Sequence, residues 1–347
     1  MQFDVIDAKL ESLTGGIAEY ECDSAANRKI WDAIANETNN FIPKAPLERN
    51  NSQIEELRTR GIVRLNTALE EKEITEIVSY LTGIPVFGGH VGAQSDGVRR
   101  YLNGGAKKFP FGSYSQDDII GCPHLLEIAL RPEILSLVVE YLGCTPTIYS
   151  IHCWWSFPPN RWRWSPWRSP AISQDYHRDV DDFRFLALFI YLTDVKGGDE
   201  GGQHQFIVKT HDENLVVQLL NGDKETASSL FLPRLRKYGY KQAKVYRALF
   251  ADQITDITGE AGSLFLADTY GLHRGVPPRK NDRLVCWIRY GLRKNLGYRT
   301  LKTEPLPFKL IENRVDRGVQ TKFMLRLLVS DQPQDSSIDR RRREFEL

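Results

Sequence analysis

Cysteine is scarce in this chain and never paired. The five cysteines (Cys22, Cys122, Cys144, Cys153, Cys286) are odd in number and far apart, with no Cys-x-x-Cys. That argues against a zinc ribbon and against a disulfide framework, and points to free thiols in a reducing compartment. A long apolar run is missing as well: the longest, at 185–192, falls far short of a membrane span. The first residues, Met-Gln-Phe-Asp-Val-Ile-Asp, lack a basic start followed by an apolar stretch, so no signal peptide is read there. The expectation is a soluble, cytoplasmic protein. Charge of one sign is also lacking, since 46 Lys and Arg stand against 45 Asp and Glu. No global field recruits nucleic acid or an anionic membrane, and neither is expected as a partner. The run Gly197-Gly-Asp-Glu-Gly-Gly202 has neither the lysine nor the helix of a phosphate-binding loop and reads as a turn.

What is present is a change of period along the chain. Helical spacing predicts helices at 24–36, at 53–60 closed by Gly61, at 67–81, at 123–130 and at 132–142. Thr67-x-x-Glu70 carries a capping-box signature, and Pro132 and Gly143 bracket the last helix. A strand is expected at 62–66, a polar connector at 39–51 and a glycine-rich loop at 83–115. Beyond Thr145 the pattern turns to strands, at 147–157, 183–195, 205–208, 263–267 and 284–292. Apolar spacing suggests a helical insertion near 212–240. Helices, then strands, then a partly helical tail fit one mainly β domain with flanking helices. The expected division is an N-terminal helical arm at 1–51, a β-rich domain at 52–300 and a tail at 301–347.

The chemistry gathers at Gln174-Asp-Tyr-His177-Arg-Asp179. In an extended segment His177 and Asp179 project to one face and Arg178 to the other. His-x-Asp alone is most often a surface turn. Here it precedes the most apolar strand of the chain, and His273 follows another apolar strand. Two imidazoles and one carboxylate on one face leave positions open on an octahedral iron(II), the arrangement of non-haem iron oxygenases. Those positions would take a 2-oxo acid and dioxygen. Arg283, at a strand start, offers a guanidinium fork suited to a carboxylate.

Read in order, the motifs resemble the phytanoyl-CoA dioxygenase-like family of Fe(II)/2-oxoglutarate-dependent oxygenases. They are Gln174-x-x-His177-x-Asp179, Phe189-Ile-Tyr-Leu-Thr-Asp194, Gly201–His211, Gly259–Asp268, His273-Arg-Gly and Arg283-Leu, with Gly61–Asn66 ahead of them, and the likeness spans roughly residues 52–295. It implies a double-stranded β-helix core, a jelly-roll of cupin type. It implies His177, Asp179 and His273 as iron ligands, Arg283 on the distal carboxylate of 2-oxoglutarate, and Gln174 near the co-substrate. Lys209-Thr-His211 stands for the family's Gly-Ser-His. Gly275 stands where many members have a hydroxyl that supplements the arginine, which leaves Tyr149, Tyr191, Thr193 and Thr210 as candidates for that contact. Related halogenases lack the carboxylate ligand. With Asp179 present, hydroxylation of an unactivated C–H bond, desaturation or another halide-free oxidation is expected, with release of succinate and CO2.

Five of the seven tryptophans lie between Trp154 and Trp167, interleaved with Arg161, Arg163 and Arg168. Arg161, Trp164 and Arg168 are candidates for a small, anionic substrate, by stacking and ion pairing; the alternative is a loop that only folds its indoles onto the barrel. His204 reads as a solvent-facing or supporting residue, and His211 as ordering a turn. The rival to an oxygenase is a jelly-roll module that binds a sugar or metabolite without turnover.

Overall fold

The computed structural model describes residues 3–14, 24–44, 51–89, 97–158, 175–231, 245–292 and 305–331. Its strands, in chain order, are β1 (Ile62–Ala68), β2 (Val86–Gly88), β3 (Arg99–Arg100), β4 (Phe111–Ser113), β5 (Thr147–Ser156), β6 (Leu186–Tyr191), β7 (His204–Ile207), β8 (Ile254–Ile257), β9 (Ser263–Ala267), β10 (His273–Gly275), β11 (Arg283–Gly291), β12 (Leu306–Pro307) and β13 (Val329–Ser330). A large antiparallel sheet runs β1-β9-β6-β11-β5-β4-β2-β3, and a small one runs β10-β7-β8. A bridge between His177 and His273 extends the small sheet beyond β10. From β5 onward the chain exchanges between the two sheets: β5 large, His177 small, β6 large, β7 and β8 small, β9 large, β10 small, β11 large. That exchange is the winding of a double-stranded β-helix, the expected jelly-roll core.

The central strands are buried on both faces, so the pleat sorts their side chains into two cores. Leu284, Cys286, Ile288 and Tyr290 of β11 join Leu186, Leu188 and Ile190 of β6 in the outer core, under the helices. Val285 joins Ala187, Phe189, Tyr191 and Phe265 in an inner core closed by Phe206 and Ile257 of the small sheet. Arg283, Trp287 and Arg289 share the parity of Val285 and so stand on the inner face. This alternation delivers polar groups to the middle of an apolar barrel.

The N-terminal arm packs on the same outer core. Trp31 is 1% exposed, and its indole N–H donates to Leu142 O at 2.7 Å. Its helix runs over Ser24–Phe41, past the expected end and into the stretch read as a connector. The helix after β1 begins later than expected, spanning Glu71–Gly83. Thr67 and Ala68 belong to β1 instead, because Ala68 pairs with Ser263 of β9. The cap is at Glu70, whose N–H is accepted by Glu73 at 3.0 Å. The stretch at 83–115 is not all loop: β2, β3 and β4 lengthen one edge of the large sheet. Strands this short leave no periodic signal. Helices at Glu213–Leu219 and Lys224–Phe231 account for the described part of the expected insertion. No helix among the described residues is long and apolar enough to cross a membrane.

Candidate metal centre and anion pocket

His177, Asp179 and His273 come together. One ligand atom of each lies within 4.8 Å of the others. The backbone sets this up. His177 N–H donates to His273 O and His273 N–H to His177 O, both at 3.0 Å, and Asp179 N–H donates to Thr269 O at 2.9 Å. Arg178 points the other way, as period two requires: its Nη1 donates to Thr210 O at 2.5 Å and to Tyr270 O. The side chains are oriented too. His177 Nδ1 lies 2.8 Å from Asp175 O, and His273 Nδ1 lies 2.9 Å from Gly271 O. A carbonyl only accepts, so each Nδ1 carries a proton, and in a neutral ring that leaves the Nε2 lone pair for a metal. Those Nε2 atoms stand 3.9 and 3.6 Å from the two oxygens of Asp179.

The electrostatics suit a cation. Burial alone would raise the Asp179 carboxyl, but Arg289, His273 and His177 outweigh it and hold it down at about 2. Burial, reinforced by His177, lowers His273 to about 3. At neutral pH the cluster is therefore one carboxylate and a neutral, buried imidazole, with His177 alongside. Such a donor set fits a divalent first-row metal.

Sequence reasoning missed Arg289. Its Nη2 donates to Asp179 Oδ2 at 2.9 Å and its Nη1 to Asp181 Oδ2. Its guanidinium carbon lies 3.5 Å from the centroid of the Trp287 ring. Tyr149 OH also donates to Asp181 Oδ2, at 3.1 Å, so that hydroxyl serves the ion-pair network. A usable signal was there: Arg289 has the same inward parity on β11 as Arg283.

Arg283 is 7% exposed. Its Nη1 donates to Gly202 O at 2.5 Å and its Nη2 to Ser156 Oγ at 3.0 Å. Its Nε is buried without a hydrogen-bond partner. Among the described residues no carboxylate pairs with it. The turn read at 197–202 now has a purpose, since it brings the Gly202 carbonyl to Arg283. Gly201 makes that turn possible. Its φ is +68°, and a Cβ there would come 2.3 Å from Pro277 O.

His204 is 5% exposed, not solvent-facing. Its ring stacks on His273 at 5.4 Å and 17°, and lies 4.8 Å from Phe189 and 5.4 Å from Phe265. Its Nε2 is buried and unpartnered, and it is not one of the converging metal-ligand residues.

The remaining candidates divide. Tyr191 OH donates to Ile257 O at 2.7 Å and accepts from His204 N–H at 3.1 Å. Thr210 Oγ1 donates to Ile207 O at 2.6 Å and accepts from Leu272 N–H at 2.8 Å. Thr193 Oγ1 accepts from Leu284 N–H at 3.0 Å. These three hydroxyls tie backbone together, and Thr210 braces the approach to His273. His211 Nε2 pairs with Arg58 O at 3.0 Å, tying its turn to the helix Asn51–Arg60. Gln174, Arg161, Trp164 and Arg168 lie outside the described residues. Of the tryptophan-rich stretch, Trp155 turns into the outer core and donates to Tyr114 OH at 2.9 Å. Trp154 faces the inner side, edge-on to Trp287 at 5.5 Å.

No protein-family model matches this sequence, and no curated protein sequence does. Solved structures with a similar chain path include the non-heme alpha-ketoglutarate-dependent carbocyclase SnoK from nogalamycin biosynthesis. It is 15% identical, with 73% of this chain and 91% of that one covered and a TM-score of 0.44. HygX from Streptomyces hygroscopicus, solved with nickel and 2-oxoglutarate bound, is 13% identical over 70% of this chain and 87% of its own, TM-score 0.44. The epimerase SnoN, also from nogalamycin biosynthesis, is 14% identical over 69% and 82%, TM-score 0.44.

Proposed function

We propose that this chain is an Fe(II)/2-oxoglutarate-dependent oxygenase that hydroxylates an unactivated C–H bond of a small-molecule metabolite. The observation that carries the reading is a pairing inside one barrel. A cluster of two imidazoles and one carboxylate shares the inner face with Arg283, a buried cation without a carboxylate partner among the described residues. A buried charge left unpaired is costly, and a dianionic 2-oxo acid would relieve it.

The residues fit the groups they would hold. His177, Asp179 and His273 would hold the iron through Nε2, a carboxylate oxygen and Nε2. Arg283 would hold the distal carboxylate of 2-oxoglutarate by charge-assisted hydrogen bonds, with its unpartnered Nε free to donate. Iron, 2-oxoglutarate and dioxygen together supply the oxidation, the co-substrate leaving as succinate and CO2. The protein's part is positioning. Asp175 O and Gly271 O fix the imidazoles, Arg289 fixes one oxygen of Asp179, and Phe189, Phe265, Trp154 and Trp287 exclude water from the inner face. On the sequence alone, Arg161, Trp164 and Arg168 would recognise an anionic substrate and Gln174 would serve the co-substrate.

The test is turnover of the co-substrate. Aerobic protein with Fe(II) and labelled 2-oxoglutarate should release succinate and CO2 even without a primary substrate, and Asp179→Ala should abolish it. Equal release by both proteins would refute the assignment. Binding of a sugar or metabolite with no succinate from the wild type would favour a module without turnover.

A further inference from the structure

We propose that His204, facing the side-chain-free Gly275 across the β7–β10 ladder, supplies a second contact to the carboxylate held by Arg283. The inference rests on the co-substrate reading above and adds a residue to it.

The strand register carries it first. His204 of β7 lies directly opposite Gly275 of β10. Opposed residues of an antiparallel pair project to the same side, roughly 5 Å apart. Gly275 has no side chain, so the space on that side belongs to the imidazole across the ladder. Two residues along the same ladder, Phe206 opposes His273. A polar group missing from one strand is thus present on its partner, at the same level of the barrel.

Its neighbours place it next. The ring stacks on His273 on one side, and both His273 and Arg283 act electrostatically on it. His204 therefore lies against His273 and against the inner-core rings of Phe189 and Phe265, on the face of the barrel that also carries Arg283. Phe189 and Phe265 pack against the ring and keep it from turning away.

Unmet valence completes the case. The large majority of buried side-chain polar atoms find a partner, yet among the described residues His204 Nε2 has none. Arg283 has already turned Nη1 to Gly202 O and Nη2 to Ser156 Oγ. It cannot saturate the four or so lone-pair sites of a carboxylate. A neutral imidazole with its proton on Nε2 donates one hydrogen bond and adds no second positive charge to the pocket.

The experiment is calorimetric titration of the Mn(II)-loaded protein with two ligands, 2-oxoglutarate and 2-oxopentanoate, which keeps the 2-oxo acid end but ends in a methyl group. His204→Ala should weaken 2-oxoglutarate about tenfold and leave 2-oxopentanoate and Mn(II) binding unchanged. His204→Gln, which keeps an N–H donor, should recover most of the loss, as should adding Gly275→Ser to His204→Ala. If His204→Ala binds 2-oxoglutarate like the wild type, or weakens both 2-oxo acids equally, the imidazole only packs the site and the proposal falls while the co-substrate reading stands. If wild-type protein binds Mn(II) but neither 2-oxo acid, the co-substrate reading fails and takes this inference with it.

Discussion

Arg289 and Arg283 stand six residues apart on the same face of β11, and both are buried. Arg289 is compensated on two sides, by Asp179 and Asp181. Among the described residues Arg283 bonds a backbone carbonyl and a serine hydroxyl, and its Nε has no hydrogen-bond partner. The same residue type on the same strand thus serves two ends. One guanidinium is part of the folded structure, neutralising acids that the fold itself buries. The other is held by neutral groups, which is the feature the proposed co-substrate contact rests on. Burial alone does not separate the two; the inventory of partners does.

Replacing each arginine by methionine should break that comparison open. Arg289→Met strands two buried carboxylates and should cost about 3–5 kcal/mol in urea unfolding of the metal-free protein. A loss under about 1 kcal/mol would mean that Asp181 and Asp179 are satisfied by other groups. Arg283→Met removes a charge that has no acid to neutralise. Its unfolding free energy should stay within about 1 kcal/mol of wild type, while affinity for 2-oxoglutarate falls about a hundredfold. Should Arg283→Met unfold as readily as Arg289→Met, the two arginines are alike and the anion-pocket reading loses its basis.

Acid separates the cluster's members by sign. His273 is held near 3 in the folded protein, below its ordinary value of about 6.5. Its neutral form is favoured by folding, so its contribution is full above about pH 6.5 and shrinks as pH falls towards 3. Asp179 is also depressed, to about 2, so its contribution persists at all pH above its ordinary carboxylate value and fails only below it. Metal-free protein should therefore lose about 2 kcal/mol between pH 6.5 and pH 5 from this one histidine. His273→Gln should flatten that slope in denaturant titrations at the two pH values. An unchanged slope would show that His273 does not titrate as a buried neutral imidazole. The smallest effect is expected at Thr210, whose hydroxyl bonds Ile207 O and Leu272 N–H. Thr210→Val should cost about 1–2 kcal/mol of stability and leave 2-oxoglutarate affinity unchanged; a clear loss of affinity would return the residue to the anion pocket.

The long strands and the helix bracketed by Pro132 and Gly143 were legible in the sequence because their signals are local. β9 and the helix Pro132–Leu142 fall where period and caps place them. The meeting of His177 with His273 was legible as a motif, although a single backbone bridge performs it. What stayed hidden was whatever depends on a partner far along the chain. β10 is three residues long and is held by partners far off in sequence, β7 on one side and His177 on the other. Arg289 looked like one charge in an apolar strand until Asp179 and Asp181 were beside it. His204 read as a solvent-facing or supporting residue, and the glycine opposite it, seventy-one positions away in sequence, gave no local sign of its place in the barrel. Thr210 and Tyr191 looked available because a sequence shows a hydroxyl but not the backbone groups that occupy it.

The most direct test of the central claim is the absorption spectrum of the anaerobic protein with Fe(II) and 2-oxoglutarate. Chelation of iron by the 2-oxo acid at the His177–Asp179–His273 site predicts a visible charge-transfer band in the wild type. The band should be absent in Asp179→Ala and should need far more 2-oxoglutarate in Arg283→Met. Folded wild-type protein that binds Fe(II) but shows no band at saturating 2-oxoglutarate would contradict the account.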